Sequence, residues 1–367
     1  MSILFLIFFN FCVIIILVIF MIYLDYSATT PVNKDVLECF KKYFYTDYTD
    51  ELVYLESLNI KNILSTDMDV LFTSGSTESN NWAIKGICSK YKDSGYHIIT
   101  TELEHSSINE TLKYLESKGF IIDYVKLKDG IVDINDLKNL ICDKTVLVTI
   151  CSVNSEIGLL QPINEIGLLL KDYPNIVFHS DMTQSIGKVN ISFDNVDLVS
   201  FSSHKLYGIK GIGCLLKKNN ISLDNILYGR RTYNYALIKS FVKALDISIS
   251  QIDKNYLYVL NLNKYLKDKL SEFNNIIINS NDNCIPHILN ISILNSKPET
   301  FLHYVEMEDI YISTKSACSS NGDYSKSVYA LTNDIKKSST SVRISLSYLN
   351  SYSDIDKFIS KIKEDLL

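Results

Sequence analysis

The chain has 367 residues, of which 47% are hydrophobic and 21% are charged, and its formal net charge is −6. This composition is typical of a globular protein that is long enough for two domains. An acidic chain without a block of consecutive basic residues lacks the electrostatics of a nucleic-acid-binding protein, so we expect no direct nucleic-acid partner.

The eight cysteines are dispersed, without a Cys-x-x-Cys pair or a regular spacing. A disulfide framework or a structural zinc site would need such a pattern, so the sequence favours a reducing compartment and predicts a cytoplasmic protein without a metal centre. Most of the cysteines lie in apolar stretches and are expected to be small core residues. Cys318 is the exception, because its neighbours in 316–323 are small and polar.

Residues 3–24 are almost wholly apolar, and Asn10 is the clearest polar break. That length suits a membrane-spanning helix, but no basic residue flanks it before Lys34. The segment also runs without a linker into 21–26, which reads as the first strand of a folded domain. We favour a start codon placed too early, with Met21 as the first residue; the alternative is a membrane anchor formed by residues 3–24.

From Asp69 onwards, apolar strands alternate with amphipathic helices. The predicted strands are 70–73, 97–101, 122–127, 145–150, 176–179 and 197–201, and the predicted helices are 76–91, 106–117, 133–140 and 163–171. This alternation predicts an α/β fold, with a mostly parallel sheet covered on both faces, in a large domain over residues 22–240. Ligands of such sheets bind beyond the carboxyl ends of the strands.

A second pattern begins near Phe241, after which helical spacing over 244–273 precedes further strands. These strands are predicted at 276–279, 288–293, 310–313 and 341–346, and a closing helix at 354–366 with Ser353 as its N-cap. We therefore predict a smaller α+β domain over residues 241–367, completed in part by N-terminal residues. Residues 1–21 form a separate hydrophobic segment.

Polar side chains of interest follow five of the six predicted strands of the large domain. They are Ser76 and Thr77 at a helix start, His105, Asn154, Asp181 with Gln184, and Ser202, His204 and Lys205. Most have an ordinary explanation, such as a helix cap, a surface histidine, or a lysine where a strand leaves the core, but a helix cap at Asp181 does not explain Gln184. Together they supply what pyridoxal 5'-phosphate (PLP) requires, namely a lysine, a carboxylate for the ring nitrogen, an anion site and a group against the ring.

The same stretches resemble the cysteine desulfurases, the NifS/IscS-like members of the class V aminotransferases. The resemblance extends from Ile22 to the C-terminus and is carried by the segments 23–31, 72–80, 101–105, 154–158, 181–185 and 200–205. It implies the fold-type I architecture of PLP-dependent transferases and a homodimer.

The resemblance also implies a role for each of these residues. Lys205 would link to PLP covalently, Asp181 would pair with its ring nitrogen, and His105 would stack on the ring and assist proton transfer. Gln184 would bond the phenolic oxygen, and Asn154 would lie close to cofactor and substrate. The phosphate would be held by Ser76, Thr77, Ser202 and His204, and Thr232 would reach the phosphate of the partner subunit.

Two further residues are assigned to the substrate. Cys318 matches the family's nucleophile, which takes sulfur from L-cysteine and passes it to an iron–sulfur scaffold or a tRNA-thiolation protein. Arg343, in the apolar stretch 341–346, matches the arginine that binds the amino-acid carboxylate, a task that suits a guanidinium. The alternative for Arg343 is a surface ion pair.

The sequence departs from the family pattern in loops. Residues 43–58 lack the family's Asn-Pro-Ser-Ser segment and its histidine, the glycine- and arginine-rich segment is reduced to 228–232, Ile209 replaces a proline, and Met182 replaces an alanine. These changes leave alternatives open. One is another class V reaction, selenocysteine lysis or transamination; the other is a non-catalytic scaffold that only binds assembly partners.

Overall fold

The computed structural model describes residues 21–229, 231–314 and 324–366. Residues 1–20 and Cys318 therefore lie outside the described residues. Within these described ranges, no helix has the length and apolarity needed to cross a membrane. The first strand, expected over 21–26, is shorter in the structure and comprises Ile22–Tyr23.

Fourteen strands and twelve α-helices are described. The strands are β1 (Ile22–Tyr23), β2 (Asp69–Thr73), β3 (His97–Thr100), β4 (Ile121–Tyr124), β5 (Leu127–Lys128), β6 (Ile131–Val132), β7 (Thr145–Thr149), β8 (Val177–Asp181), β9 (Leu198–Ser202), β10 (Gly213–Lys217), β11 (Ile276–Ile278), β12 (Ile288–Ile293), β13 (Ile310–Tyr311) and β14 (Ser341–Ser345). The helices are α1 (Lys34–Lys42), α2 (Asp50–Leu64), α3 (Ser76–Lys90), α4 (Ser106–Glu116), α5 (Ile134–Leu140), α6 (Ile163–Leu170), α7 (Tyr235–Ser250), α8 (Ile252–Leu270), α9 (Pro298–Met307), α10 (Lys326–Thr332), α11 (Ile335–Ser339) and α12 (Tyr352–Leu366).

The main sheet has seven strands in the order β2-β10-β9-β8-β7-β3-β4. From β9 to β4 all neighbours are parallel, whereas β10 is antiparallel to both β9 and β2. The predicted α/β fold with a mostly parallel sheet is confirmed. The sequence analysis missed β10, a short buried strand that follows a glycine-rich turn.

Helices cover both faces of this sheet. Successive residues of β7 point to opposite faces, so that Leu147 packs in the core beneath α3 and α4, and Val148 packs in the core that contains α6 and α7. A strand buried on both faces reads as a continuous apolar run, which explains why the periodicity of the sequence located β7 so closely.

The smaller unit is built on the antiparallel sheet β11-β12-β14, which packs with α8, α9 and α12. Strand β1 pairs in parallel with β13, and Ile22 and Leu24 lie in this second core, so N-terminal residues do complete the unit. Helix α7 crosses the predicted boundary between residues 240 and 241, and its Phe241 and Leu245 pack in the large core. We propose that the boundary lies at Gln251, between α7 and α8.

The predicted start of the last helix was wrong by two residues. Helix α12 begins at Tyr352, and its N-terminus is closed by Ser351 rather than by Ser353. The amide of Ser351 donates to Asp354 Oδ2 at 2.8 Å, and the amide of Asp354 donates to Ser351 Oγ at 3.2 Å. This reciprocal pair is a capping box, and it stabilises a helix that starts after Ser351 rather than after Ser353, two residues later.

Candidate active site

A cavity of about 370 Å³ lies beyond the carboxyl ends of β3, β7, β8 and β9. Eight of the residues predicted from the sequence line it: Ser76, Thr77, His105, Asp181, Gln184, His204, Lys205 and Arg343. These residues come from both units of the chain, because Arg343 is on β14. The main sheet brings the other seven together because its parallel strands end at one edge, and Arg343 reaches the cavity from the smaller sheet.

Lys205 ends a 3-10 helical turn, Ser203–Lys205, that follows β9 directly. Its Nζ donates to the carbonyl oxygens of Ser27 and Ala28 at 2.6 and 2.5 Å. Burial, reinforced by the positive charge of Arg343, lowers the pKa of the Lys205 amine to about 8. The amine is therefore closer to its neutral, nucleophilic form than a lysine on the surface.

Asp181 is the last residue of β8 and is 7% exposed. Its Oδ2 accepts a hydrogen bond from Asn80 Nδ2 at 2.7 Å, and its Oδ1 accepts one from the Thr183 amide at 3.0 Å. A buried carboxylate needs such donors to offset its desolvation. Asn80, on α3, was not singled out in the sequence.

His105 is the N-cap of α4, and its Nδ1 accepts a hydrogen bond from the Ser107 amide at 3.2 Å. Since Nδ1 is the acceptor, the neutral ring carries its proton on Nε2. Burial lowers the pKa of His105, which favours this neutral form. Asn80 also donates to Ser107 Oγ at 2.9 Å, so one side chain connects the histidine turn to Asp181.

Gln184 is fixed from both ends of its amide. Its Oε1 accepts from Lys188 Nζ at 2.6 Å, and its Nε2 donates to the Ser27 carbonyl oxygen at 2.9 Å. Lys188 is buried, and that burial lowers the pKa of its amine to about 7. These two bonds orient the amide: Oε1 accepts from Lys188, one N–H of Nε2 donates to Ser27, and the second N–H of Nε2 is left for a ligand in the cavity.

The predicted anion site adjoins the main cavity. Ser76 and Thr77 begin α3, whose N-cap, Gly75, makes no side-chain capping bond. The Ser76 amide donates to Ser202 Oγ at 2.6 Å. The adjoining cavity shares Ser76, Thr77 and His204 with the main one and adds Ser202 and the exposed cation Lys210. A helix N-terminus beside hydroxyl groups and a lysine favours a phosphate group.

Close packing between the backbone at Gly213 and the backbone at the start of α3 supports the predicted anion site. A Cβ atom on Gly213 would lie 2.5 Å from the Phe201 carbonyl oxygen and 2.8 Å from Gly75 Cα. The turn before β10 can therefore pass against the start of α3 only because residue 213 is glycine.

Arg343 is only 5% exposed, so it is not part of a surface ion pair. Its Nη2 lies 2.7 Å from Asp25 Oδ1, and its Nη1 donates to the Ser155 carbonyl oxygen at 3.0 Å. Its buried Nε has no hydrogen-bond partner among the described residues. A buried donor without a partner fits a site that is completed by a bound carboxylate.

Two of the predicted site residues, Asn154 and Thr232, are not brought into the cavity, and a third, Cys318, is not among the residues that the structure describes. Asn154 is buried, and its amide is used within the protein: it donates to the Leu103 carbonyl oxygen at 2.8 Å and accepts from the Ile157 amide at 2.8 Å. Thr232 is exposed on a separate groove. Cys318 lies outside the described residues, but Ser313, five residues before it in the chain, lines the cavity.

The residues present fit PLP. The cavity combines an amine, a carboxylate fixed by two donors, a neutral histidine and an adjoining anion site. In addition, the buried Thr183 Oγ1 lines the cavity and has no hydrogen-bond partner among the described residues. An unpaired hydroxyl in a cavity is expected where a ligand supplies the missing partner. Thr183 lies inside the segment 181–185, which resembles the family, but nothing in the sequence singles it out. Its buried, unpaired hydroxyl in the structure indicates that it belongs to the site.

Comparison with known proteins identifies the family. The model of the class-V aminotransferases matches residues 22–358. A cysteine desulfurase IscS of Clostridium botulinum is 34% identical over 364 residues, which cover 91% of each chain. One of Buchnera aphidicola subsp. Acyrthosiphon pisum is 35% identical over 329 residues, 82% of this chain and 81% of its own.

Solved structures agree. A NifS-like protein superimposes with a TM-score of 0.88 at 27% identity, covering 94% of this chain and 99% of its own. The protein SspA, solved in complex with cysteine, superimposes with a TM-score of 0.76 at 28% identity, covering 88% and 98%. The arrangement of the cavity and the extent of these matches lead to one conclusion: the chain belongs to the class-V aminotransferase family.

Proposed function

We propose that this chain is a PLP-dependent cysteine desulfurase that converts L-cysteine to L-alanine and transfers the sulfur to Cys318. The observation that carries the proposal is the cavity in which Lys205, Asp181, His105 and Arg343 converge. The relatives named as cysteine desulfurases match this chain over most of its length.

The cofactor would be held by residues whose positions suit its separate groups. Asp181 would pair with the ring nitrogen, Gln184 Nε2 would donate to the phenolic oxygen, and the start of α3 with Ser202 and His204 would hold the phosphate. When bound, PLP supplies an electron sink for the bond broken at the substrate Cα. Thr232 would act on the phosphate of a partner subunit in a homodimer, which accords with its position away from the cavity.

The chain's own residues bind the substrate and move its protons. Arg343 holds the substrate carboxylate. Lys205 Nζ, whose lowered pKa allows it to exchange protons near neutral pH, takes the Cα proton, and His105 assists. The Cys318 thiolate attacks the substrate sulfur, so that a sulfur–sulfur bond forms as the carbon–sulfur bond breaks. The electron pair of the carbon–sulfur bond stays with the substrate Cβ, which takes up a proton, and Lys205 returns a proton to Cα. The products are alanine and a persulfide on Cys318.

The persulfide would pass to an acceptor protein, either an iron–sulfur scaffold or a tRNA-thiolation protein. We infer that this reaction takes place in the cytoplasm. The same cavity could serve selenocysteine or an amino-group acceptor, and these alternatives differ from the desulfurase in one respect: neither requires Cys318 for product formation.

The test uses the chain from Met21 onwards, loaded with PLP. Addition of L-cysteine should change the absorbance of the bound cofactor and yield alanine in proportion to the sulfur released. The Cys318→Ala variant should keep the cofactor absorbance but lose sulfur release. The Cys142→Ser variant is the matched control, because it removes a thiol outside the cavity and should retain activity.

Two outcomes would overturn the proposal. Normal sulfur release by Cys318→Ala would remove the role of that thiol and favour another class V reaction. Failure of the purified chain to take up PLP would favour the non-catalytic scaffold.

A further inference from the structure

A second group of reactive side chains lies at the opposite end of the main sheet from the cavity. His97 and Thr145 are the first residues of β3 and β7, whereas the cavity lies beyond the last residues of these strands. Cys142 lies in the turn that leads into β7, and Asp123 is on the neighbouring strand β4. None of these four residues lines the cavity assigned to PLP.

The turn fixes the Cys142 thiol against the His97 ring. Cys142 Sγ lies 3.5 Å from His97 Nδ1, which is hydrogen-bonding distance for sulfur. The turn is closed by a hydrogen bond from the Thr145 amide to the Cys142 carbonyl oxygen at 3.0 Å. Next to it, the His97 amide donates to the Lys144 carbonyl oxygen at 3.0 Å, so the backbone that carries the base is joined to the turn that carries the thiol.

The other ring nitrogen of His97 is held by a carboxylate. Its Nε2 lies 3.1 Å from Asp123 Oδ2. A carboxylate accepts only, so Nε2 carries a proton and Nδ1 is the acceptor, with the Thr145 hydroxyl and the Cys142 thiol as its two neighbouring donors. A nucleophile, a base and a group that orients the base form the arrangement by which enzymes activate a thiol.

Thr145 provides a hydroxyl group to the same thiol. Its Oγ1 accepts from the Cys142 amide at 2.9 Å and lies 2.8 Å from His97 Nδ1 and 3.6 Å from Cys142 Sγ. With the amide as its donor, this hydroxyl can turn its own proton to the sulfur once the thiol has lost its proton.

Cys142 is accessible, in contrast to the other described cysteines. Cys88, Cys151 and Cys214 are buried, and Cys39 and Cys284 are partly buried. In the partly buried pair, Cys39 Sγ donates to the Lys239 carbonyl oxygen and Cys284 Sγ donates to Asn281 Oδ1. Burial raises the pKa of both these thiols, that of Cys284 to about 11. They are suitable reference thiols within the same molecule.

We propose that Cys142, activated by His97 and oriented through Asp123, is a second reactive thiol of this chain that exchanges with low-molecular-weight disulfides. The site is independent of the desulfurase reaction, since it shares no residue with the cavity.

The reaction balances without a further reagent. The Cys142 thiol proton moves to His97 Nδ1, and Sγ attacks one sulfur of the disulfide. A bond forms between Cys142 Sγ and that sulfur while the original sulfur–sulfur bond breaks. The departing thiolate takes a proton from the imidazolium. Cys142 is oxidised to a mixed disulfide, and half of the small disulfide is reduced to a thiol.

The experiment uses the PLP-loaded chain and hydroxyethyl disulfide, a neutral probe that avoids charge steering. Peptide mass spectrometry follows the modification of each cysteine over time. Cys142 should react at least about tenfold faster than Cys39 and Cys284. It should also react at least about tenfold faster than the same cysteine in the unfolded peptide 138–148. This increase is smaller than the rate gain usually provided by a positioned general base. His97→Gln should remove most of this advantage, and Asp123→Asn should reduce it several-fold.

The two substitutions differ in how strongly they are expected to disturb folding. His97 is buried, whereas the Asp123 side chain is 45% exposed on the edge strand β4. If His97→Gln does not fold, Asp123→Asn alone decides: an unchanged Cys142 rate overturns the proposal. A Cys142 rate equal to that of the unfolded peptide overturns it as well. Absence of cysteine desulfuration leaves these rates unaffected, so the two proposals fail independently.

Discussion

Asn80 Nδ2 lies 2.7 Å from Asp181 Oδ2, and the two residues are 101 positions apart in the chain. The same Asn80 amide group donates to Ser107 Oγ, beside His105. One side chain on α3 therefore fixes the carboxylate assigned to the cofactor ring and supports the turn that presents the histidine. A carboxylate held in this way keeps its direction when the cofactor is absent.

Replacing Asn80 by Ala should weaken cofactor binding. Loss of one hydrogen bond to a buried charged group costs about 1.5–3 kcal/mol, so the dissociation constant for PLP should rise about tenfold or more. Titration of the apoprotein with PLP, followed by absorbance, measures this change. Asn81→Ala is the matched control, because Asn81 bonds Thr77 and Thr111 instead of Asp181. Equal affinities for the two variants would contradict the role of Asn80.

Arg343→Lys should raise KM for L-cysteine while leaving the spectrum of the bound cofactor unchanged. A lysine cannot reproduce the fork of donors that Arg343 offers, and loss of a charge-assisted bond of about 1.5–3 kcal/mol predicts a KM about 10- to 100-fold higher. Steady-state alanine formation gives the value. Cysteine methyl ester, which has no carboxylate, is the control substrate, and the variant should handle it almost as well as the parent does. A similar loss with both substrates would mean that Arg343 acts only through its contact with Asp25.

Lys188 should make the apoprotein more stable at alkaline pH. Its pKa is about 7 in the folded chain and near 10.5 when exposed, so between these values the unfolded chain binds a proton that the folded chain does not. The free energy of unfolding therefore rises with pH across this window, on the order of 1–3 kcal/mol between pH 7 and 9.5. Below pH 7 both states are protonated and the slope disappears.

Urea denaturation of the apoprotein at pH 7 and pH 9.5 tests this prediction, with Lys188→Met as the comparison. The substitution keeps the length of the side chain and removes the titrating group. The stability of the parent relative to the variant should increase with pH, and other titrating groups, including Lys205, are common to both proteins. A difference that is the same at both pH values would show that the Lys188 amine remains charged in the folded chain.

Local patterns predicted most of the main sheet because its strands are buried on both faces and bounded by polar turns. The residues that follow these strands, such as Asp181 and Lys205, could also be named, since parallel strands deliver their carboxyl ends to one edge. The residues that support the site could not be predicted in this way. Asn80 and Lys188 act through contacts that depend on how α3 and the segment after β8 pack, and no local spacing records such distant pairs.

Strand β10 and the start of α12 were missed for different physical reasons. Strand β10 lies between β9, the preceding strand in the chain, and the distant β2, and the pairing with β2 is one that a sequence window does not contain. At α12, serines at 351 and 353 both suit an N-cap, and only the reciprocal bond with Asp354 selects the first. Where two serines give the same local signal for an N-cap, only the hydrogen bonds of the folded chain show which of them caps the helix.

This selection at α12 can be tested with two nearly identical substitutions. Ser351→Ala removes the side-chain cap and should lower the free energy of unfolding by about 1 kcal/mol. Ser353→Ala changes an exposed serine inside the first turn and should alter it by less than about 0.5 kcal/mol. The two variants lose the same hydroxyl group two residues apart, so solvent exposure and size are matched. Urea denaturation of both, compared with the parent, gives the difference directly. A larger loss for Ser353→Ala would mean that the helix begins at 354 in solution, where the sequence alone places it.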